Sequence, residues 1–406
     1  MSGDGTRSAP ASPPGPIVGG LALATRAVHV ARESGALGPT GERAATPPLH
    51  QTANYVYTDA DGAAAAAAGE AFLYSRHGNP TTDALARAVA DLEGAEAGLT
   101  FASGMAAIAT AVFAAAAGGE VLAGEGIYGG STDLLQTLGT SFGIRTRVVP
   151  AWDVAAVAAA IGPDTRALLV ETLSNPLLRV PDLRALGDAC HARGVALVVD
   201  STFTTPMLAR PIALGADLVV HSVSKYLSGH GDVVGGVVVG AAAALAPVRA
   251  ARSLLGGVMD PFAGWLALRG LRTLPLRIAR QCESAARLAA VLASLPAAKK
   301  VHYPGLPDHP DHARAKAQLA APGAIIALQL ADGAAARRFY DRVRVFSRAA
   351  SLGEIVSLVT HPASFTHRRL SPEALAKTGI DDGLLRLSVG VEDVGDLEAD
   401  LRQALA

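Results

Sequence analysis

The chain has 406 residues, half of them hydrophobic and 17% charged, with a formal net charge of −1. That length calls for two or three packed units around a sizeable buried core. The near-zero charge argues against nucleic acid or an anionic membrane as a partner.

Gly, Pro or a charge interrupts every apolar run before the roughly 18 residues that suggest a membrane span. The two cysteines, Cys190 and Cys282, fall in helix-like segments and cannot build a disulfide framework. A soluble, cytoplasmic protein is expected, and no metal site is foreseen. Residues 1–20 are rich in Ser, Gly, Pro and Ala and read as a disordered tail without the apolar stretch of a signal peptide. The alanine run at 63–68 reads as a surface helix or loop.

From Asn79 onward, helix and strand signals alternate. Asn79-Pro80 is a cap followed by a first-turn proline, and the helical pattern it opens stops at Gly94. Residues 98–102 read as a short strand, after which Ser103 caps an Ala-rich helix ending near Gly118-Gly119. Strand-like runs follow at 120–123, 145–149, 167–172, 196–200, 218–221 and 233–239. Helical patterns, such as 181–193 with Gly194 as its stop, fill most gaps. Near-continuous apolar strands alternating with helices predict an α/β fold, a mainly parallel sheet covered on both faces. After Gly240 a helical region (241–295) is interrupted near Gly256-Gly257 and Pro261. A smaller α/β unit follows, with strands near 324–330, 354–359 and 384–389 and a last helix from Asp396.

Ligands of such sheets bind at the carboxyl ends of the strands, where the chemistry-bearing residues gather. Lys225, one of five lysines, ends an apolar run between Ser222, Ser224 and Tyr226. Upstream, another apolar run ends in Asp200-Ser201-Thr202. A carboxylate that keeps a pyridinium nitrogen protonated and a lysine that condenses with an aldehyde are the pair a pyridoxal phosphate site needs. Ser103-Gly104-Met105 lies at a strand-to-helix junction suited to a phosphate. Tyr128 offers an aromatic face beside Gly129-Gly130, and Asn175 ends another strand as a hydrogen-bonding group.

These stretches resemble the Cys/Met-metabolism family of pyridoxal phosphate enzymes, which includes cystathionine γ-synthases, γ- and β-lyases, methionine γ-lyases and acylhomoserine sulfhydrylases. The resemblance runs from about Thr25 to Ala406. It is carried by YSRHGNPT (74–81), ETLSNPLLRVPDL (171–183), VVDSTFTTP (198–206), ALGADLVVHSVSKYLSGHGDVVGG (213–236), HPASFTH (361–367) and LLRLSVGVED (384–393). It implies fold type I, with a seven-stranded large domain at 76–255 and a smaller C-terminal domain at 256–406. Residues 21–75 would form an arm that contacts a neighbouring subunit. Tyr74 and Arg76 would reach the phosphate of the neighbour's cofactor, making the dimer the active unit and a pair of dimers, a homotetramer, the assembly. Gly104, Met105, Ser222 and Ser224 would bind the phosphate within the subunit. Tyr128 would stack on the ring and assist proton transfers, Asp200 would pair with the ring nitrogen and Thr202 would pack beside it. Lys225 would carry the cofactor and move the α-proton, while Arg386, Asn175 and the backbone at Ser351 would hold the substrate carboxylate.

The same resemblance bears on substrate. Members that handle cystathionine normally carry a glutamate before the serine of the SLG motif and an arginine shortly after YGG; this chain has Ala350 and Asp133. A sulfur amino acid with an uncharged tail is therefore expected, methionine or homocysteine ahead of cystathionine (γ-lyase or γ-synthase chemistry), with an acylhomoserine sulfhydrylase third. Gly130 stands where methionine γ-lyases typically have a cysteine, which departs from that subgroup.

Overall fold

The computed structural model describes residues 20–31, 42, 44–116, 118–365 and 380–406. The tail expected at 1–20 lies outside them except for Gly20, as do Thr366 and His367 of the 361–367 motif. Seven strands form the larger sheet: β1 (Ala97–Phe101), β2 (Glu120–Gly124), β3 (Arg145–Val149), β4 (Thr165–Glu171), β5 (Ala196–Asp200), β6 (Leu218–Ser222) and β7 (Gly236–Gly240), in the order β1-β7-β6-β5-β4-β2-β3. Pairings among β2 to β6 are parallel, and β7 alone runs against both of its neighbours. The expected mainly parallel sheet is present, and its reversed strand explains how β1 can sit beside β7 and still point the same way as β6.

Strand residues alternate between two apolar cores. Leu197, Val199 and Val219 face one, and Val198, Leu218 and Val220 face the other, where the helix Gly104–Ala116 packs. Sequence signals act locally as chemistry requires. Asn79 accepts from the Thr81 amide at 2.9 Å to open the helix Pro80–Glu93, and Gly94 closes it at φ 75°. On the face where that helix packs, His221 and Glu93 form a fully buried pair at 2.7 Å.

The helices Ala242–Leu255, Pro261–Leu271 and Leu274–Ser294 lead to a second sheet. Its strands are β8 (Lys300–His302), β9 (Ile325–Gln329), β10 (Ser347–Arg348), β11 (Leu358–Thr360) and β12 (Leu384–Ser388), ordered β10-β11-β12-β9-β8. The helices Leu274–Ser294 and Val394–Leu405 pack together, and the first also covers β8 and β9. The strand expected at 354–359 is shorter and later. Gly353, at φ 77°, turns the chain hard against Tyr226, where a Cβ would lie 2.7 Å from the Tyr226 amide nitrogen. Pairing resumes only at Leu358.

Candidate active site

The carboxyl ends of β1, β2, β4, β5 and β6 open on one edge of the larger sheet, and β12 brings Arg386 to the same place from the smaller one. Together they line a cavity of about 270 Å³.

After β1, the Ser103 hydroxyl accepts from the Ala106 amide at 3.0 Å and fixes the first turn of the helix Gly104–Ala116. The leading N–H groups of a helix have no acceptor within it and carry the positive end of its dipole. A Cβ on Gly104 would stand 2.8 Å from both Cβ and Oγ of Ser222, so only glycine leaves this corner open. Met105 and Ser224 line the same cavity, and the Ser224 hydroxyl accepts from the Gly235 amide at 3.0 Å.

After β2, Tyr128 precedes the helix Gly129–Phe142, and its ring is partly exposed. Gly130 has a steric reason: a Cβ there would lie 2.5 Å from Cε1 of Tyr128 and 3.2 Å from the Met105 sulfur. The Asn175 amide after β4 donates to the Gly126 carbonyl at 2.7 Å. Its side-chain oxygen accepts from Nη1 of Arg386 at 3.1 Å, while Nη2 donates to the Ser351 carbonyl at 2.9 Å. Burial pushes the Arg386 guanidinium down to about 10.

After β5, one Asp200 oxygen accepts from both the amide and the hydroxyl of Thr202. The Thr202 hydroxyl oxygen in turn accepts from the Ser222 amide at 2.8 Å, tying the ends of β5 and β6 together. Burial raises the Asp200 carboxyl above its usual range, against the Thr202 hydrogen bonds and the nearby His221. Lys225 follows β6 and donates from Nζ to the Ser351 hydroxyl at 2.9 Å. Burial and the Arg386 charge lower the Lys225 ammonium, with Glu354 opposing them.

The structure therefore brings together Gly104, Met105, Tyr128, Asn175, Asp200, Thr202, Ser222, Ser224, Lys225, Ser351 and Arg386. It does not bring Tyr74 or Arg76 into this chain's own cavity. Both are exposed; Arg76 donates to the Ser253 carbonyl at 2.8 Å and its guanidinium lies 5.7 Å from the Tyr74 ring centre. Glu171 is an ionisable lining residue that the sequence did not single out. It is the last residue of β4, is buried and pairs in register with Asp200. The available signal was its place at the end of an apolar strand next to the Asp200 strand.

The residues fit pyridoxal phosphate. The corner at Gly104 suits a phosphate, Asp200 suits a protonated ring nitrogen, and Lys225 suits the aldehyde. Two buried polar atoms on the wall, Nε of Arg386 and Oε2 of Glu171, have no protein partner, as expected of a cavity built for a polar ligand. Among the described residues no cluster of three or more His, Cys, Asp or Glu side chains could hold a metal ion. No helix among them is long and apolar enough to cross a membrane. Cys190 and Cys282 are buried, with thiols pushed up to about 12 by burial.

Fold and site define a pyridoxal-phosphate-dependent enzyme of fold type I. The chain belongs to the Cys/Met metabolism PLP-dependent enzyme family, whose model matches residues 24–406. It is 43% identical to an L-methionine gamma-lyase of Pseudomonas putida over 94% of this chain and 97% of that protein. It is 40% identical to an O-succinylhomoserine sulfhydrylase of Pseudomonas aeruginosa over 95% and 96% of the two chains. A cystathionine gamma synthase from Xanthomonas oryzae pv. oryzae, solved with aminoacrylate and cysteine, superimposes with a TM-score of 0.89 at 38% identity, covering 95% and 98%.

Proposed function

We propose that this protein is a carbon–sulfur γ-lyase that, with one water, converts methionine or homocysteine to α-ketobutyrate, ammonia and the departing sulfur group, a thiol from methionine or hydrogen sulfide from homocysteine. Bound pyridoxal phosphate supplies an electron sink that stabilises negative charge developing at the substrate carbons. Gly104, Met105, Ser222 and Ser224 hold its phosphate, Asp200 keeps its ring nitrogen protonated, Thr202 packs beside the ring and Tyr128 stacks over it. Arg386, held by Asn175 and Ser351, grips the substrate α-carboxylate as a two-pronged donor. Nζ of Lys225 takes the proton from the substrate Cα and serves Cβ in turn; its lowered affinity for protons fits that exchange. The Tyr128 hydroxyl serves proton transfer at the departing sulfur. Tyr74 and Arg76, exposed and outside their own cavity, serve the phosphate of a neighbouring subunit, so the working unit is a dimer within a tetramer in the cytoplasm.

The observation that carries the substrate assignment is Ala350 on the cavity wall. Among the described lining residues the carboxylates are Glu171 and Asp200, and both already accept hydrogen bonds from Tyr128 and Thr202. Asp200 is engaged with the cofactor ring in this reading, and burial and Asp200 hold the Glu171 carboxyl well above the usual carboxylate range, so neither offers a free anion to the distal ammonium of cystathionine. Burying that ammonium without a partner is costly, whereas a thiomethyl group gains contact with an apolar wall. Similarity to the sulfhydrylase supports a second reading, in which an added thiol is captured in place of water.

Release of α-ketobutyrate from methionine, homocysteine and cystathionine, compared as kcat/KM, tests the proposal. Cystathionine should gain little over methionine. Ala350→Glu should move the ratio toward cystathionine by about ten- to a hundred-fold, roughly 1–3 kcal/mol. A wild type that strongly prefers cystathionine, with a ratio that Ala350→Glu leaves unmoved, would sink the assignment.

A further inference from the structure

Glu171 is a buried carboxylate in the cavity wall to which none of the steps above gives a part. It ends β4, directly opposite Asp200 in the β4–β5 register. Its Oε1 accepts the Tyr128 amide at 2.6 Å, a contact that spans 43 residues of sequence and joins the end of β4 to the end of the β2 loop. Its other oxygen, Oε2, is buried without a partner. Tyr128 is the residue immediately before the helix Gly129–Phe142, and no side chain caps that helix end. The Tyr128 carbonyl accepts from the Ser131 and Thr132 amides of the helix's first turn at 2.8 and 3.1 Å, so on the other side of the residue its place is set by the Glu171 bond to its amide and by the close approach of its ring to Gly130.

We propose that Glu171 is a positioning residue that holds the Tyr128 backbone so that the phenol ring lies over the cofactor ring above Asp200. It does so as an uncharged acid, a hydrogen-bond acceptor without a negative charge beside Asp200. Burial and the neighbouring Asp200 charge hold the Glu171 carboxyl well above the usual carboxylate range, outweighing the Tyr128 amide and Arg386. A second anion at the end of the adjacent strand would compete with Asp200 for the ring nitrogen; a neutral acceptor avoids that competition. This inference rests on the reading of Tyr128 as the stacking residue.

The test uses visible circular dichroism of the bound cofactor, which reports how the protein's groups are arranged around the ring, together with the pyridoxal phosphate dissociation constant. Glu171→Gln keeps an uncharged oxygen acceptor, whereas Glu171→Met keeps the reach and loses the acceptor. Glu171→Gln should stay within about two-fold of wild type in both readouts. Glu171→Met should lose most of the dichroic band and bind cofactor about ten-fold more weakly, the scale of one lost buried hydrogen bond. Tyr128→Ala is the control for stacking. If it leaves the dichroic band intact, the Tyr128 reading falls. If it removes the band while Glu171→Met does not, only the Glu171 assignment falls. A Glu171→Gln variant as impaired as Tyr128→Ala would show that the charge matters and overturn the neutral-acceptor role. That arm decides the matter even if the methionine variant does not fold.

Discussion

Lys225 illustrates how a single residue acquires its chemistry from where the chain buries it. An exposed lysine holds its proton near 10.5; here burial and Arg386 disfavour the ammonium. A larger neutral fraction at ordinary pH means a more nucleophilic amine. The rate at which pyridoxal phosphate recombines with cofactor-free protein should rise with pH and level off at a midpoint below 10.5. A midpoint at or above that value would show that the surroundings do not depress Lys225. Ser351 matters at this scale too, because its hydroxyl takes a hydrogen bond from Lys225 while its carbonyl takes one from Arg386. One residue thus touches both Lys225 and Arg386.

At the scale of elements, the segment between β4 and the helix Leu183–His191 carries Asn175 and is fastened to the C-terminal part of the chain. Asp311, nearly buried, accepts from Nε of Arg179 at 2.6 Å, from the Val180 amide at 3.0 Å and from Arg314 at 3.1 Å. Arg179 also lies over the Trp152 ring, 4.3 Å from its centre. Asp311→Ala should therefore lower unfolding free energy by about 1–3 kcal/mol in denaturant titration. Loosening the loop frees Asn175 from Arg386, so KM should rise more than kcat falls. Equal loss in both, with unchanged stability, would show that the fastening does not act on the substrate site.

Elements were legible in the sequence where local chemistry is decisive. Apolar runs closed by Gly94 or Gly194 and capped by Asn79 or Ser103 gave strands and helices within a few residues. The two-residue strand β10 has no pattern to read, and the displaced start of β11 depends on Gly353 meeting Tyr226, 127 positions away in sequence. Lys225 and Asp200 could be singled out because each ends an apolar strand with hydroxyls beside it. Glu171 also ends an apolar strand, with Thr172 beside it, but that pattern does not tell a polar strand end that meets solvent from one that, as here, meets the amide of Tyr128.

At the scale of the whole molecule, the site needs both sheets, since Arg386 on β12 closes a cavity whose other walls come from the larger one. If Tyr74 and Arg76 serve a neighbouring subunit, Arg76→Ala and Lys225→Ala should each be nearly inactive, yet recover partial activity once mixed and allowed to exchange subunits. Mixed dimers then contain sites with an intact Arg76 beside an intact Lys225. No recovery under confirmed exchange would place Arg76 outside the shared site.

The account as a whole turns on Lys225 as the cofactor's anchor. Borohydride reduction of the holoenzyme followed by peptide mapping tests this most directly, because reduction makes the lysine–cofactor bond permanent. The reduced pyridoxyl phosphate should be found on the peptide containing Lys225 and nowhere else. Its recovery on any of the other four lysines, or on none, would contradict the assignment.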